Sequence, residues 1–248
     1  MTILTPAQDG AAKAELAPAG ALRVGLVEAP SAGLVFVARA AGGAARGVAA
    51  DLGADLAQRL GLPLAQTLFP NSGASAAALQ AEEIDVAFMP VDATRRQVIA
   101  FGPGYYDLES TYLVSAASGL ADVAEVDRPG ARILAIDGTT TFRAAARTLT
   151  RTQPVAVPSV AEAIARMGRG EADAFALSRD TLQPVLAQVP GSRIVRGGFQ
   201  RTQVAVAIPL GRPGALACVT AWLEAAKRSG LVRRIFDAHG FPHEPVAP

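Results

Sequence analysis

The stretch IDVAFMPVDATRRQVIAFGPGYYDLESTYLV, residues Ile84 to Val114, decides how the chain is read. Ile84, Val86 and Phe88 alternate with other residues, so IDVAF predicts a short buried strand after the helical pattern of Ala76 to Ala81. Ligands of open α/β sheets sit outside the carboxyl ends of such strands. Asp92, Thr94, Arg95 and Arg96 follow directly. Arg95 is the first candidate for a ligand contact, because a guanidinium stays charged and its planar fork matches a carboxylate bidentately. A pair of solvated cations at a helix start is the plainer reading of Arg95 and Arg96. DLESTYLV, at the far end, predicts a crossover strand into a second half of the molecule. Tyr105, Tyr106 and Tyr112 cluster beside it. An aromatic ring with a polar tip suits the rim of a closing cleft, and core packing at a strand turn suits it as well.

Upstream, LRVGLVEA from Leu22 predicts a first strand that ends near Glu28 and Ser31. Val48, Leu52, Leu56 and Leu60 recur at helical spacing and Gly61 stops that helix. LAQTLF predicts the second strand, followed by the loop Pro70-Asn71-Ser72-Gly73 and another helix. Downstream, the strand RILAID runs into Gly138-Thr139-Thr140-Thr141 and then a helix. A strand, a glycine turn, hydroxyl residues and a helix start together form an anion site, with free N–H groups and the helix dipole pointing outward. One of the three threonines caps the helix. PVAVP is a further strand, Ser159 with Glu162 opens a helix as a capping box, and DAFALSRD is a buried strand ending at Ser178, Arg179 and Asp180. GGFQRTQVAVAIP returns the chain to terminal helices around Trp222.

Strand–helix pairs, a crossover, more pairs and a second crossover predict an α/β fold of two lobes joined by two hinge crossovers. The expected division is a mobile N-terminal arm at 1–20, lobe one at 21–111 plus 203–248, and lobe two at 112–202.

A chain of 248 residues can bury a sizeable core, and 50% hydrophobic against 18% charged residues excludes disorder. A net charge of +1, from 23 basic and 22 acidic residues, provides no field for nucleic acid or anionic membrane. The single cysteine, Cys218, excludes an intrachain disulfide and a thiolate metal site. His239 and His243 fall in the tail HGFPH, where a surface helix end explains them. No cofactor or metal is expected. The first residues lack the basic start and apolar run of a secretory leader, and no stretch of about twenty apolar residues predicts a membrane span.

The runs D-V-A-F from Asp85, T-R-R-Q-x-I-x-F from Thr94, G-Y-Y from Gly104 and Y-L-V from Tyr112 resemble a segment of the type II periplasmic solute-binding proteins of the polar amino-acid class. These are the family 3 extracellular solute-binding proteins of ABC transporters. Gly47, Val48, Asp51 and Leu52 are similar to that family's G-[FV]-x-x-D-L pattern, and the likeness runs from about Leu22 to Phe241. The resemblance implies that Arg95 holds a ligand α-carboxylate while Gly138, Thr139, Thr140 and Thr141 grip it from the opposite side. It implies an α-ammonium contact at Ser178 or Asp180. Glu28, at the end of the first strand, is a second candidate for that ammonium or else a surface acid. Arg179 hints at an extra acidic group on the ligand. Asn71 or Ser72 stands where the family commonly carries a stacking aromatic, which implies a smaller or more hydrophilic ligand face. Met89 and Pro90 begin a turn shorter than the family's small, hydroxyl-rich one.

The leading expectation is non-catalytic capture of a small amino acid or carboxylate by a monomer, periplasmic by resemblance and serving an ABC permease. One alternative is an enzyme of the cyclohexadienyl or arogenate dehydratase type on the same fold, for which Glu28 and Glu109 are the available acids. The other is a cytoplasmic small-molecule sensor, which fits the lack of a leader-like start.

Overall fold

The computed structural model describes residues 6–248, with side chains described from residue 10. In chain order its elements are α1 (Pro6–Leu16), β1 (Leu22–Glu28), β2 (Phe36–Arg39), β3 (Ala45–Arg46), α2 (Val48–Leu60), β4 (Leu64–Phe69), α3 (Ser72–Gln80), β5 (Val86–Pro90) and the long β6 (Ile99–Val114). There follow β7 (Ile133–Ile136), α4 (Thr140–Thr148), β8 (Pro154–Val157), α5 (Val160–Gly168), β9 (Ala174–Ser178), α6 (Arg179–Val185), β10 (Arg193–Ile194), β11 (Gln200–Pro209), α7 (Pro213–Arg228) and α8 (Leu231–Ala238).

The strands join edge to edge in the order β3-β2-β1-β5-β11-β6-β9-β7-β8, with β4 beside β1 and β10 beside β6. Each half is built on a parallel core, β4 and β5 flanking β1 in one and β8 and β9 flanking β7 in the other, while the short pairs β2–β3 and β10–β6 are antiparallel. Parallel strands need crossover connections, and α2, α3, α4 and α5 supply them. β6 and β11 are antiparallel and run through both halves. β11 pairs with β5 from Val204 to Ala207, whereas β6 pairs with β9 from Ser110 to Val114. Between these stretches Asp107, Leu108 and Glu109 face Gln203, Thr202 and Arg201 as a ribbon two strands wide. The fold is therefore two α/β lobes connected by two crossing strands, as the order of strand and helix patterns predicts.

The helical stripe on α2 is fully realised. Val48, Leu52, Leu56 and Leu60 are all buried, and Gly61 ends the helix at φ +63°. A left-handed residue there costs glycine nothing. β6 begins at Ile99, upstream of the expected DLESTYLV, and accommodates Pro103 because the ladder with β11 shifts register around Val204 and Ala205. The tyrosines belong to the core, so the reading of them as a cleft rim is corrected. Tyr105 and Tyr106 meet Phe236 edge to face, and Tyr112 stacks on Phe199 at a ring separation of 4.6 Å. The Tyr105 hydroxyl donates to the Leu34 carbonyl at 2.7 Å, which lets a buried phenol pack without an orphaned proton.

The mobile arm expected over 1–20 is also corrected, its first five positions lying outside the described residues. From Pro6 to Leu16 the chain is α1, packed on α7, with Ala12 and Leu16 buried. Its Ala-rich sequence has little amphipathic contrast, so the docking rests on polar clamps as well. The Glu15 carboxylate accepts the Ala215 N–H at 2.8 Å in the first turn of α7, where negative charge complements the helix dipole. Arg212 donates to the Glu15 carbonyl at 2.9 Å and reaches the fully buried Asp85, which Arg23 holds through two bonds of 2.9 and 2.6 Å. Among the described residues no helix is long and apolar enough to cross a membrane. Leu16→Ala is expected to destabilise the protein by about 2–5 kcal/mol in urea unfolding. An undocked arm would give no measurable change.

Candidate functional site

Both lobes present the N-terminus of a helix to one gap. α3 starts after Asn71, whose Oδ1 accepts the Ala74 N–H at 2.8 Å. α4 starts after Thr139, whose Oγ1 accepts the Phe142 N–H at 3.0 Å and donates to the Ile136 carbonyl at 2.7 Å. Two glycines let these helix starts touch. A Cβ placed on Gly73 would lie 2.9 Å from the Gly138 Cα and 3.0 Å from the Gly138 carbonyl oxygen. Gly138 also adopts φ +67°, a region that L side chains rarely enter. Backbone thus meets backbone across the gap, and the positive ends of two helix dipoles converge.

Two guanidiniums join them. Arg95, only 4% exposed, donates through Nη1 to the Pro90 carbonyl at 2.9 Å and through Nη2 to Ser72 Oγ at 2.8 Å. The same Nη2 crosses to the Gly138 carbonyl at 3.2 Å. From the other lobe, Arg143 on α4 donates to that carbonyl at 3.2 Å and pairs closely with Asp92. Asp92 accepts the Arg95 amide at 2.8 Å and lies 3.8 Å from its Nε. Burial works against ionised Asp92, but the Arg95 amide and Arg143 outweigh it and hold the carboxyl below its ordinary range. Burial, with Arg143 adding to it and Asp92 opposing it, lowers Arg95 to about 10, so the guanidinium is charged at neutral pH.

Against this junction lies a narrow, partly enclosed cavity of about 20 Å³, room for roughly one water molecule. Its apolar walls are Val27, Val35, Phe36, Pro90, Leu108 and Leu177, and its polar side is Ser72, Thr139, Thr140, Thr141 and Ser178. The three threonines divide the work. Thr139 is the cap, Thr141 places its Oγ1 3.2 Å from Ser110 Oγ, and Thr140, 1% exposed, has an Oγ1 with no hydrogen-bond partner. Ser178 Oγ sits 2.8 Å from Thr181 Oγ1. None of the lining residues carries an acidic or basic side chain. Among the described residues no group of three His, Cys, Asp or Glu side chains could hold a metal.

The residues singled out from the sequence therefore divide. Ser72, Pro90, Thr139, Thr140, Thr141 and Ser178 come together on the cavity, and Arg95 and Gly138 adjoin it through Ser72 and through each other. Asn71 stands at the gap, where its Nδ2 donates to the Pro158 carbonyl at 3.2 Å. Four lie elsewhere. Met89 is buried in a cluster with Ala87, Ile99 and Ala207, on the opposite face of β5 from Pro90 as strand alternation requires. Glu28 is paired with Arg39 through bonds of 3.1 and 3.0 Å and borders an outer groove with Pro30 and Ser159. Arg179 is held by Glu109 at 2.6 Å and by the Gly197 carbonyl at 2.7 Å. Asp180 faces the Gly33–Leu34 loop: its Oδ2 accepts the Leu34 N–H at 3.4 Å and its Oδ1 has no partner. Of the pair Ser178 and Asp180, Ser178 is the one on the cavity.

Sequence reasoning missed Val35, Phe36, Leu108, Leu177 and Arg143. Phe36 reaches the cavity because β2 pairs with the end of β1, Val27 opposite Phe36, a parallel pairing that side-chain periodicity does not reveal. Arg143 carried a readable signal, since a cation one helical turn after the Thr139 cap lies back over the helix start.

Burial raises the Asp180 carboxyl above its ordinary 3.8, outweighing hydrogen bonds from Ser178 and from the Leu34 and Thr181 amides, and Glu244 adds to the rise. The folded form therefore favours protonated Asp180, and the stability that this confers is complete below pH 3.8 and lost as pH rises through the raised value. Asp180→Asn, which does not titrate, should raise Tm relative to the parent at pH 7 and show a gap that shrinks towards pH 4; a pH-independent gap would refute this. Gly73→Ala should leave circular dichroism unchanged but give a larger radius of gyration in solution scattering, because the added Cβ holds the lobes apart. An unchanged radius would show that the glycine contact does not govern closure.

The sequence profile of bacterial extracellular solute-binding proteins, family 3, matches residues 25–242. No curated protein sequence matches the chain. Among solved structures, a mutant of ArgBP from T. maritima is 24% identical, with a TM-score of 0.79 over 92% of this chain and 98% of that one. The ancestral amino acid-binding protein AncCDT-1, a precursor of cyclohexadienyl dehydratase, is 24% identical, with a TM-score of 0.77 over 90% and 97% of the two chains. A putative binding component of an ABC transporter from Wolinella succinogenes, complexed with lysine, is 22% identical, with a TM-score of 0.77 over 89% and 95%. With the profile spanning both lobes and both crossing strands, the chain belongs to family 3 of the bacterial extracellular solute-binding proteins.

Proposed function

We propose that the protein captures a small carboxylate-bearing solute between its lobes without transforming it, and delivers it to an ABC permease from outside the cytoplasm. The observation that carries this reading is the Arg95–Gly138 contact. A guanidinium on one lobe spends a donor on a backbone carbonyl of the other, at the mouths of two helices. When the lobes part, that donor is released to a carboxylate. When they close, the solute carboxylate replaces a neutral acceptor with a charged one, and charge-assisted bonds of this kind are the stronger. Closure is thereby coupled to occupancy, because the anion has contacts on both lobes only in the closed form.

Catalysis is disfavoured by the cavity's composition. General acid–base chemistry needs a titratable group within reach of the substrate. Glu28 and Glu109, the acids considered for that role, are engaged with Arg39 and with Arg179 and Arg201. His239 pairs with Asp51 at 2.8 Å near the end of α8, away from the cavity lining. The structural neighbours' amino acids set the first class of compounds to test.

In a thermal-shift panel of amino acids and small carboxylates at millimolar concentration, a true ligand should raise Tm with the logarithm of its concentration. A hundredfold excess over Kd corresponds to about 2.7 kcal/mol. Arg95→Lys keeps the charge and loses the planar fork, so calorimetric affinity for that ligand should fall by about tenfold or more. A panel with no shift, or a variant of unchanged affinity, would defeat the reading.

A further inference from the structure

The cavity joins a strongly electropositive junction to a wall with no acid in it. We propose that the solute is a small monocarboxylate with an apolar body and no ammonium group, such as a short branched fatty acid, rather than an amino acid. This rests on the reading of the cavity as a solute site.

The carboxylate end is marked by three independent features. The N-termini of α3 and α4 converge there with Arg95 one bond behind Ser72. Thr140 lines the cavity, is 1% exposed, and has an unpartnered Oγ1. A buried hydroxyl without a partner is costly, and an anionic acceptor beside it removes that cost. Once the lobes part enough to enlarge the space beyond a single water, the remainder of the solute meets Val27, Val35, Phe36, Leu108 and Leu177, which offer contact area and no polar partner.

A zwitterion would bring an ammonium into the same space. Burying an ammonium without a hydrogen-bonded anion is strongly unfavourable, and Arg95 and Arg143 would repel it besides. Among the described residues no acid lines the cavity to compensate. Asp92 is committed to Arg95 and Arg143. Asp180 lies beside Ser178, but its Oδ2 faces the Leu34 amide and burial favours its uncharged form, and Glu28 is taken by Arg39. At the carboxyl end of β9, the side chain that reaches the cavity is the hydroxyl of Ser178, already engaged with Thr181. Selection against an amine thus arises from an unmatched charge, which discriminates more sharply than a missing methylene.

The test is calorimetry on the full chain with matched pairs: isovalerate against valine, and isocaproate against leucine, with isoamylamine as the cationic control. The carboxylates should bind at least about tenfold more tightly than the amino acids of the same skeleton, and the amine should not bind. Thr140→Val, of nearly the same shape, should weaken carboxylate binding by about tenfold with Tm unchanged or raised. Ser178→Asp should narrow or invert the preference. Because that change is made at a buried position, Thr140→Val decides if it fails to fold. Amino acids binding as tightly as their matched carboxylates would overturn the inference while leaving solute capture intact. If neither the matched acids nor the wider amino-acid panel bound, both readings would fall.

Discussion

A single carbonyl oxygen, that of Gly138, takes hydrogen bonds from guanidiniums on both lobes. Most of what is distinctive about the gap follows from that. Two like charges are brought together at the mouths of two helices, and one carboxylate, Asp92, stands between them. In water such charges would scarcely notice one another. Where one is almost wholly buried the effective dielectric is lower and the imbalance counts. The closed arrangement is tenable because neutral acceptors, the carbonyls of Pro90 and Gly138 and the Ser72 hydroxyl, occupy the Arg95 donors. It leaves a place where an anion is better matched than anything the chain itself supplies.

The rest of the charge distribution sharpens that contrast. Acids elsewhere are answered locally: Asp85 by Arg23 and Arg212, Asp173 by Arg132, Glu109 by Arg179 and Arg201. Many of these pairs are at or near the surface and individually contribute little to stability. Asp180 differs from these, a buried acid with one unpartnered oxygen that lies between the Leu34 loop and Ser178.

How much of this was legible beforehand depended on distance along the chain. The anion turn at Gly138 to Thr141 and the Arg95 candidate are local signals, a glycine, hydroxyls and a helix start in one case and a cation beyond a strand end in the other. Both can be read without knowing what lies opposite. The apolar walls could not. Phe36 belongs to a short strand placed by its pairing with Val27, and Leu108 becomes a wall residue only where β6 enters the two-stranded ribbon. Choosing between Ser178 and Asp180 required knowing that the strand ends at Ser178 and a helix begins at Arg179, since a helical turn sends neighbouring side chains to different faces. The docking of α1 was hidden for a related reason: an Ala-rich segment shows weak periodicity, and its polar anchors, Arg212 and the Ala215 amide, are supplied from the opposite end of the sequence.

The narrow ribbon formed by Asp107 to Glu109 against Arg201 to Gln203 has one more consequence. Two strands twist more readily than a wide sheet, and this pair, between the β5 and β9 ladders, has no lateral neighbour on either side. Torsional compliance is thereby concentrated in a few residues, and the hydrophobic interiors flanking it behave as stiff bodies. Apart from Leu108, which belongs to both, the apolar walls of the cavity lie outside this joint and can exchange one apolar side chain for another over evolutionary time without retuning its mechanics. A scaffold divided in this way can acquire new cargo preferences while keeping its opening stroke.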